Sequence, residues 1–285
     1  MEGFGAWTLE NGVRYAALHY LADEEKRGDW AARTRVGVPE REWLREMEMV
    51  ETIYEGEPVY ADFNERRHSF EQYPDGPRIP LLRGSKYVGG WDCGQTLVPA
   101  FTLLQIGPAP YHQVHALLEV TSVGSEPMSK FAPRVASQLM KLLPGLWPEV
   151  EHWADTTVTT RSGANGATPQ DEAARHGFKL KPSSNIWSGR WDAVTWLLTN
   201  SISEQMPRLL IDPVGCPLLL AGFQGAYKFD DQSQGAVGPD RVLKCMPVKN
   251  MYSHVHDSLQ YAALRVRKML DGAGRSEWKV HELWG

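Results

Sequence analysis

The sequence is poor in cysteine, in long apolar runs and in net positive charge, and each shortage removes a class of protein. Cys93, Cys216 and Cys245 are its three cysteines. So widely spaced, they give neither a disulfide framework nor a Cys-x-x-Cys zinc site, and a reducing compartment is expected. The longest apolar run, Leu97 to Ile106, is broken by Pro99, Thr102 and Gln105 and falls short of the roughly 18 to 20 residues of a membrane span. Met1 to Glu10 has no basic cluster followed by an apolar stretch, so no secretory signal is expected. The formal charge is −5 and the pI near 6.0. That argues against coating of nucleic acid by a general positive field, but a site that gathers carboxylates around cations would itself pull the total negative.

What remains is the composition of a compact globule, 42% hydrophobic and 23% charged over 285 residues. The eleven tryptophans are scattered along the chain, as core residues are, rather than interleaved with Lys and Arg as a base-stacking platform would have them. Residues 1–80 read as a lead-in: alternation over Val13 to Tyr20, a charged stretch from Asp23 to Arg35, and helical spacing of Trp43, Met47 and Val50. A polar, turn-rich linker lies between Arg66 and Ser85, with Pro74, Asp75, Gly76, Pro77 and Pro80. The main domain is expected over 81–285. There the pattern predicts three strands joined by short turns (Lys86 to Trp91, Leu97 to Ile106, His112 to Thr121), then a helix carrying Phe131, Val135, Leu139 and Leu142. A strand ending at Ala154 and Asp155, a Gly/Ser/Thr loop and a helix from Pro169 to His176 follow. Next come a strand near Phe178, a helix over Ile186 to Leu198, a strand at Arg208 to Ile211, a short helix at Leu218 to Ala221, and a last helix from about His254 to Leu270. An antiparallel meander followed by helices alternating with strands is the order of the α/β, ribonuclease H-like fold, a central mixed sheet flanked by helices.

Three aspartates stand where this pattern concentrates chemistry. Asp92 closes an apolar strand, with Gly89, Gly90 and Gly94 leaving the backbone open to close approach. A carboxylate so placed suits a hard cation, or caps a turn. Asp155 repeats the arrangement before a glycine-rich loop. Asp257 lies three residues after His254 in a helix whose N-cap is read as Ser253, so both share a face in the first turn. Helix-dipole compensation and a metal site both account for that pair. His256 is expected on another side of the helix and to matter less. Asp212 imitates a strand-end carboxylate, but Pro213 beside it favours a turn. His112 and His115, read on one strand, face opposite sides, Asp230 and Asp231 lie in a polar loop, and Cys93 lacks a histidine base.

The run Gly90, Trp91, Asp92, Cys93, Gly94 with Pro99 and Ala100, the Asp155 strand and loop, and the ending from Tyr252 to Tyr261 together resemble the nuclease domain of tailed-phage terminase large subunits. Pro58, Val59, Tyr60, Asp62, Phe63, Asn64 and His68 resemble the segment before that nuclease. The resemblance runs from about Tyr15 to Leu270. It implies an endodeoxyribonuclease that cuts concatemeric viral DNA during packaging in the host cytoplasm. Two divalent cations, Mg2+ or Mn2+, would be held by Asp92, Asp155 and Asp257, with Asp92 bridging them; apart from the resemblance, the spacing of His254 from Asp257 makes His254 a metal ligand or an orienter at the same site. It further implies double-stranded DNA, the terminase ATPase domain, the small terminase subunit and the portal protein as partners, and no membrane. The sequence departs from the family in one respect: it contains no Gly-x-x-x-x-Gly-Lys-Ser/Thr phosphate loop, the Arg161 to Thr168 stretch lacking the lysine, so no ATPase activity is expected.

Basic residues near the carboxylates are the candidates to meet DNA: Arg161 in the loop after Asp155, and Lys228, Arg241, Lys244 and Lys249 before the last motif. Two rival classes stay open, the integrases, transposases and junction resolvases of the same fold, and a docking module of a packaging motor with a silent site.

Overall fold

The structure, a computed structural model, describes residues 4–8, 14–36, 43, 47, 57–70, 78–93, 98–122, 124–160, 166–229 and 246–281. Arg161, Asp230, Asp231, Arg241, Lys244 and Cys245 lie outside the described residues. The chain divides into two compact units, Met1–Glu55 and Gly56–Gly285.

In the smaller unit β1 (Phe4–Thr8) pairs antiparallel with β2 (Arg14–Leu18). Two 3-10 turns and the short helix α1 (Trp30–Thr34) follow, where the rings of Tyr20, Trp30 and Trp43 meet at centroid distances of 5.3 to 6.1 Å.

The larger unit starts earlier than the turn-rich linker led us to expect. Residues 57–70 belong to it: Val59 and Tyr60 are core residues, and α2 (Glu65–His68) is capped by the Asn64 side chain. The linker expected between Arg66 and Ser85 therefore lies inside this unit, which begins at Gly56; Pro74, Asp75, Gly76 and Pro77 lie outside the described residues. Its sheet is built from β3 (Lys86–Asp92), β4 (Ala100–Ile106), β5 (Val114–Thr121), β6 (Glu151–Ala154), β7 (Leu180–Pro182) and β8 (Leu209–Ile211), in the order β7-β6-β3-β4-β5-β8. The meander β3-β4-β5 is antiparallel, while β6 runs parallel to β3, β7 to β6 and β8 to β5. Among the described residues α3 (Met128–Leu142), α4 (Pro169–Ala174), α5 (Trp187–Thr199), α6 (Pro217–Ala221) and α7 (Met251–His281) are the helices of this part. The strand order and directions are those of the ribonuclease H-like fold.

Both faces of the sheet are covered, which is why β3 and β4 read as near-continuous apolar runs. Side chains two apart on β3 share a face. Val88 joins Leu259, Ala262 and Val266 of α7 in one core, whereas Tyr87 and Trp91 join Phe131, Val135 and Leu139 of α3 in the other. Each such side chain, fully buried, contributes on the order of 1.5 to 3 kcal/mol. The glycine pair on β3 admits both layers. A Cβ on Gly90 would lie 1.9 Å from the Ser258 carbonyl oxygen and 2.9 Å from the Ala262 nitrogen, and one on Gly89 would lie 2.6 Å from the Phe101 ring and 2.7 Å from His152 Nδ1. Thr102, the cross-strand neighbour of Gly90, fixes the crossing further, its Oγ1 lying 2.7 Å from Ser258 Oγ.

Two local readings are corrected. His112 is not on a strand: β5 begins at Val114, and His112 occupies the left-handed region with φ 48°. The last helix begins at Met251, not His254. Asn250 Oδ1 accepts from the N–H groups of Tyr252 and Ser253 at 3.0 Å each, and Ser253 Oγ accepts from the Asn250 N–H at 3.1 Å. Asn250 is thus the cap and Ser253 its reciprocal partner, which moves Asp257 from the first turn to the second.

Candidate active site

The C-terminal ends of β3 and β6 lie side by side. Their last paired residues are Trp91 and Ala154, so Asp92 closing β3 and Asp155 just beyond β6 emerge as neighbours. Both are buried, 8% exposed each. α7 crosses β3 at Gly90 and delivers two further groups: His254 Nδ1 lies 2.8 Å from Asp92 Oδ2, and the buried Asp257 sits one turn along. Asp155 opens a 3-10 turn, its Oδ1 accepting from the Thr157 N–H at 2.6 Å and from the Thr157 hydroxyl at 2.5 Å. That turn is tied to α7 through Asn185, whose Oδ1 accepts from the Thr156 N–H and from the Tyr261 hydroxyl, each at 3.3 Å.

The electrostatics follow from burial and like charge. Burial pushes the Asp92 carboxyl above its usual range, the His254 contact draws it back, and the charge of Asp257 raises it again. Burial also lifts the Tyr261 hydroxyl, and after the opposing effect of Arg190 the carboxylates of Asp155, Asp257 and Asp92 all lift it further. Tyr261 therefore feels all three acids. Burial, then Asp155 and Asp92, keep the Cys93 thiol well above the ordinary thiol range. That favours the neutral thiol over the nucleophilic thiolate.

Arg190 is the residue that sequence reasoning missed. From α5 its Nη1 donates to Asp257 Oδ1 at 2.9 Å, with both side chains under 9% exposed. Its guanidinium lies 4.8 Å from the Tyr261 ring centroid and 5.7 Å from that of Trp187. The available signal was a lone arginine in a tryptophan-rich helix. Lys249, read as a DNA contact, lies on Asp257 itself, its Nζ against Oδ2. Lys228 lies in a segment whose backbone pairs with Pro58 and Val248. His256, facing away from His254, is fully buried among the rings of Tyr60, Phe223 and Tyr227. Asp212 is a turn residue: Oδ1 accepts from the Val214 and Gly215 N–H groups at 3.0 and 2.8 Å, and Oδ2 accepts from the Ile79 N–H at 3.0 Å.

The donor set is one of carboxylate oxygens, the chemistry of a hard divalent cation. Burial raises Asp92 first and the charge of Asp257 adds to it, and a bound cation would relieve that repulsion. Among the described residues no three His, Cys, Asp or Glu side chains stand ready together around one point, and Asp257 is paired with Arg190 and Lys249. The residues fit a cation by chemistry, with protein cations at the third carboxylate.

No protein-family description and no curated protein sequence matches the chain. Among solved structures, it is similar to the large terminase of a thermophilic bacteriophage in complex with ATP-gamma-S, with a TM-score of 0.52 and 12% identity over 86% of this chain and 54% of that one. A second structure of the same terminase gives 0.51 and 13%, over 86% and 53%. The P22 large terminase nuclease domain gives 0.49 and 13%, over 74% of this chain and 92% of that domain. The chain spans about half the length of the thermophilic phage terminase. No described helix is long and apolar enough to cross a membrane. The strand order of the larger unit is that of the ribonuclease H-like fold, and the chain is similar in fold to about half of a phage large terminase.

Proposed function

We propose that this chain is a divalent-cation-dependent DNA endonuclease that cuts concatemeric phage DNA during packaging, as the nuclease part of a terminase large subunit. The observation that supports this is the contact of His254 with Asp92 at the end of β3, with Asp155 following the end of the neighbouring strand and the buried Asp257 three residues after His254 on α7. Asp92, Asp155 and Asp257 would hold two ions, Mg2+ or Mn2+. When bound, such ions clamp the oxygens of a phosphodiester and lower the pKa of an attacking water. The protein's part is orientation. Thr157 fixes the rotamer of Asp155, Arg190 holds one oxygen of Asp257, and His254 aims Asp92. Arg161, Lys228, Arg241, Lys244 and Lys249 are the proposed contacts to DNA phosphates. The partners in this reading are double-stranded DNA and, in the motor, the ATPase domain, small subunit and portal protein, within the host cytoplasm. The chain itself does not hydrolyse ATP, since its sequence has no phosphate-cradling lysine loop.

A plasmid cleavage assay with added Mn2+ tests this. Nicked and linear products are expected, abolished by chelation and by Asp92→Asn, an isosteric change that removes a hard-cation ligand. Full cleavage by the folded variant would take Asp92 out of the mechanism, and joined products would move the chain to the integrases. The neutralised Asp257 favours one rival, a silent docking module, which absence of cleavage by the wild type would establish.

A further inference from the structure

Asp257 is engaged by two cations of different character. Arg190 holds Oδ1 from inside, its side chain 8% exposed, sandwiched against Tyr261 and unable to leave without stranding a buried charge. Lys249 holds Oδ2 from outside. Its side chain is 63% exposed against 7% for Asp257, and it sits just before the Asn250 cap, outside the helix. An ammonium on a flexible stem regains its hydration when released, so an exposed lysine leaves a carboxylate at small cost, whereas a planar guanidinium buried against an aromatic face does not.

From this difference we infer that Lys249 is the resident counter-cation of the site: its ammonium and an incoming divalent ion compete for Asp257 Oδ2, while Arg190 keeps Oδ1 throughout. The inference rests on the metal site proposed above and deepens it in two ways. Asp257 offers an ion one oxygen rather than two. The displaced ammonium is released at the exposed side of the carboxylate, where a DNA phosphate can take it up, so ion binding and phosphate binding favour one another.

The test is calorimetric titration of Mn2+ into the whole chain at low salt and fixed pH, without DNA, for the wild type and for Lys249→Met, Lys249→Arg, Asp257→Asn and Asp92→Asn. Lys249→Met should bind Mn2+ about three- to tenfold more tightly, the range expected when a partly exposed competitor for a buried carboxylate is removed. Lys249→Arg, which keeps a cation, should stay near the wild type, and both aspartate variants should lose binding. The Mn2+-induced rise in melting temperature should be larger in Lys249→Met than in the wild type, an effect that reads ion binding without catalysis. Equal or weaker Mn2+ binding by Lys249→Met, with wild-type binding still lost in Asp257→Asn, overturns the competition and leaves the metal site standing. Absence of any Asp257-dependent Mn2+ binding in the wild type overturns both.

Discussion

A carboxylate buried beside other carboxylates needs a fixed partner, and at each acid here the partner is a different kind of group. Asp155 has a backbone and a hydroxyl donor, Asp92 an imidazole, Asp257 a guanidinium and an ammonium. Arg190→Ala should therefore be among the costliest single changes, about 3 to 5 kcal/mol by urea unfolding, because it leaves Asp257 buried with an exposed lysine alone. A loss under about 1 kcal/mol would mean that solvent reaches Asp257. The two histidines of α7 should separate cleanly. His254→Ala should weaken cleavage by roughly 10- to 100-fold and raise the Mn2+ requirement, as loss of an orienting partner does. His256→Ala should leave the Mn2+ requirement unchanged and lower the melting temperature, since it empties a space enclosed by three aromatic rings, at about 2 to 4 kcal/mol. The sequence expectation that His256 matters less is thereby confined to the chemistry, where the cleavage assay of the two variants tests it. The three acids were legible because each follows an apolar strand or shares a helical face with a histidine. Arg190 was not, because its partner lies 67 residues away and no local pattern marks a long-range ion pair.

At the scale of elements, the site is set by where α7 crosses β3. Gly90→Ala would drive a methyl group into the Ser258 carbonyl at 1.9 Å, and since both neighbours there are backbone, strand and helix must part. The expected result is a loss of several kcal/mol, or failure to fold. Gly124 is the control. It has φ 70° with nothing within 4 Å of an added Cβ, so Gly124→Ala should cost only about 1 kcal/mol, read by the same thermal unfolding. The meander and the apolar stripe of α7 were legible because period 2 and period 3.6 are strong over elements of this length. The start of α7 was not. Asn250 and Ser253 are both good capping residues, three apart, and only their reciprocal hydrogen bonds decide which of them caps. Thr102, bonded across to Ser258, was equally invisible, as it reads as one polar break in an apolar strand.

The molecule as a whole carries buried imidazoles that set its acid limit. Burial lowers His115 to about 4 and His152 and His256 to about 3. All three are neutral in the fold, while the unfolded chain protonates near 6.5, so their stabilisation is fully present above that pH and is lost as pH falls toward the folded values. Glu119, raised to about 7 by burial, and Asp92, also raised, act in the opposite direction. His68, lowered by burial as well, adds to the imidazole side, so the net is proton uptake on unfolding and stability falls as the pH drops between about 6 and 5. Melting followed by circular dichroism should show a marked fall from about pH 7 to pH 5, and a flat profile would show that these rings are hydrated. The unit border was the least legible feature at this scale, since Val59 and Tyr60 reach their core partners only through distant sequence. One consequence of the sheet lies in how such a site persists through change. Asp92 ends one strand and Asp155 follows the end of its parallel neighbour, and adjacent strands lie about 4.8 Å apart in any sheet, so the placement of the two acids belongs to the polypeptide backbone rather than to particular side chains. Loops can lengthen and cores can be repacked residue by residue while the strand spacing stays constant, so the placement of two acids at neighbouring strand ends tolerates wide change in the sequence around it.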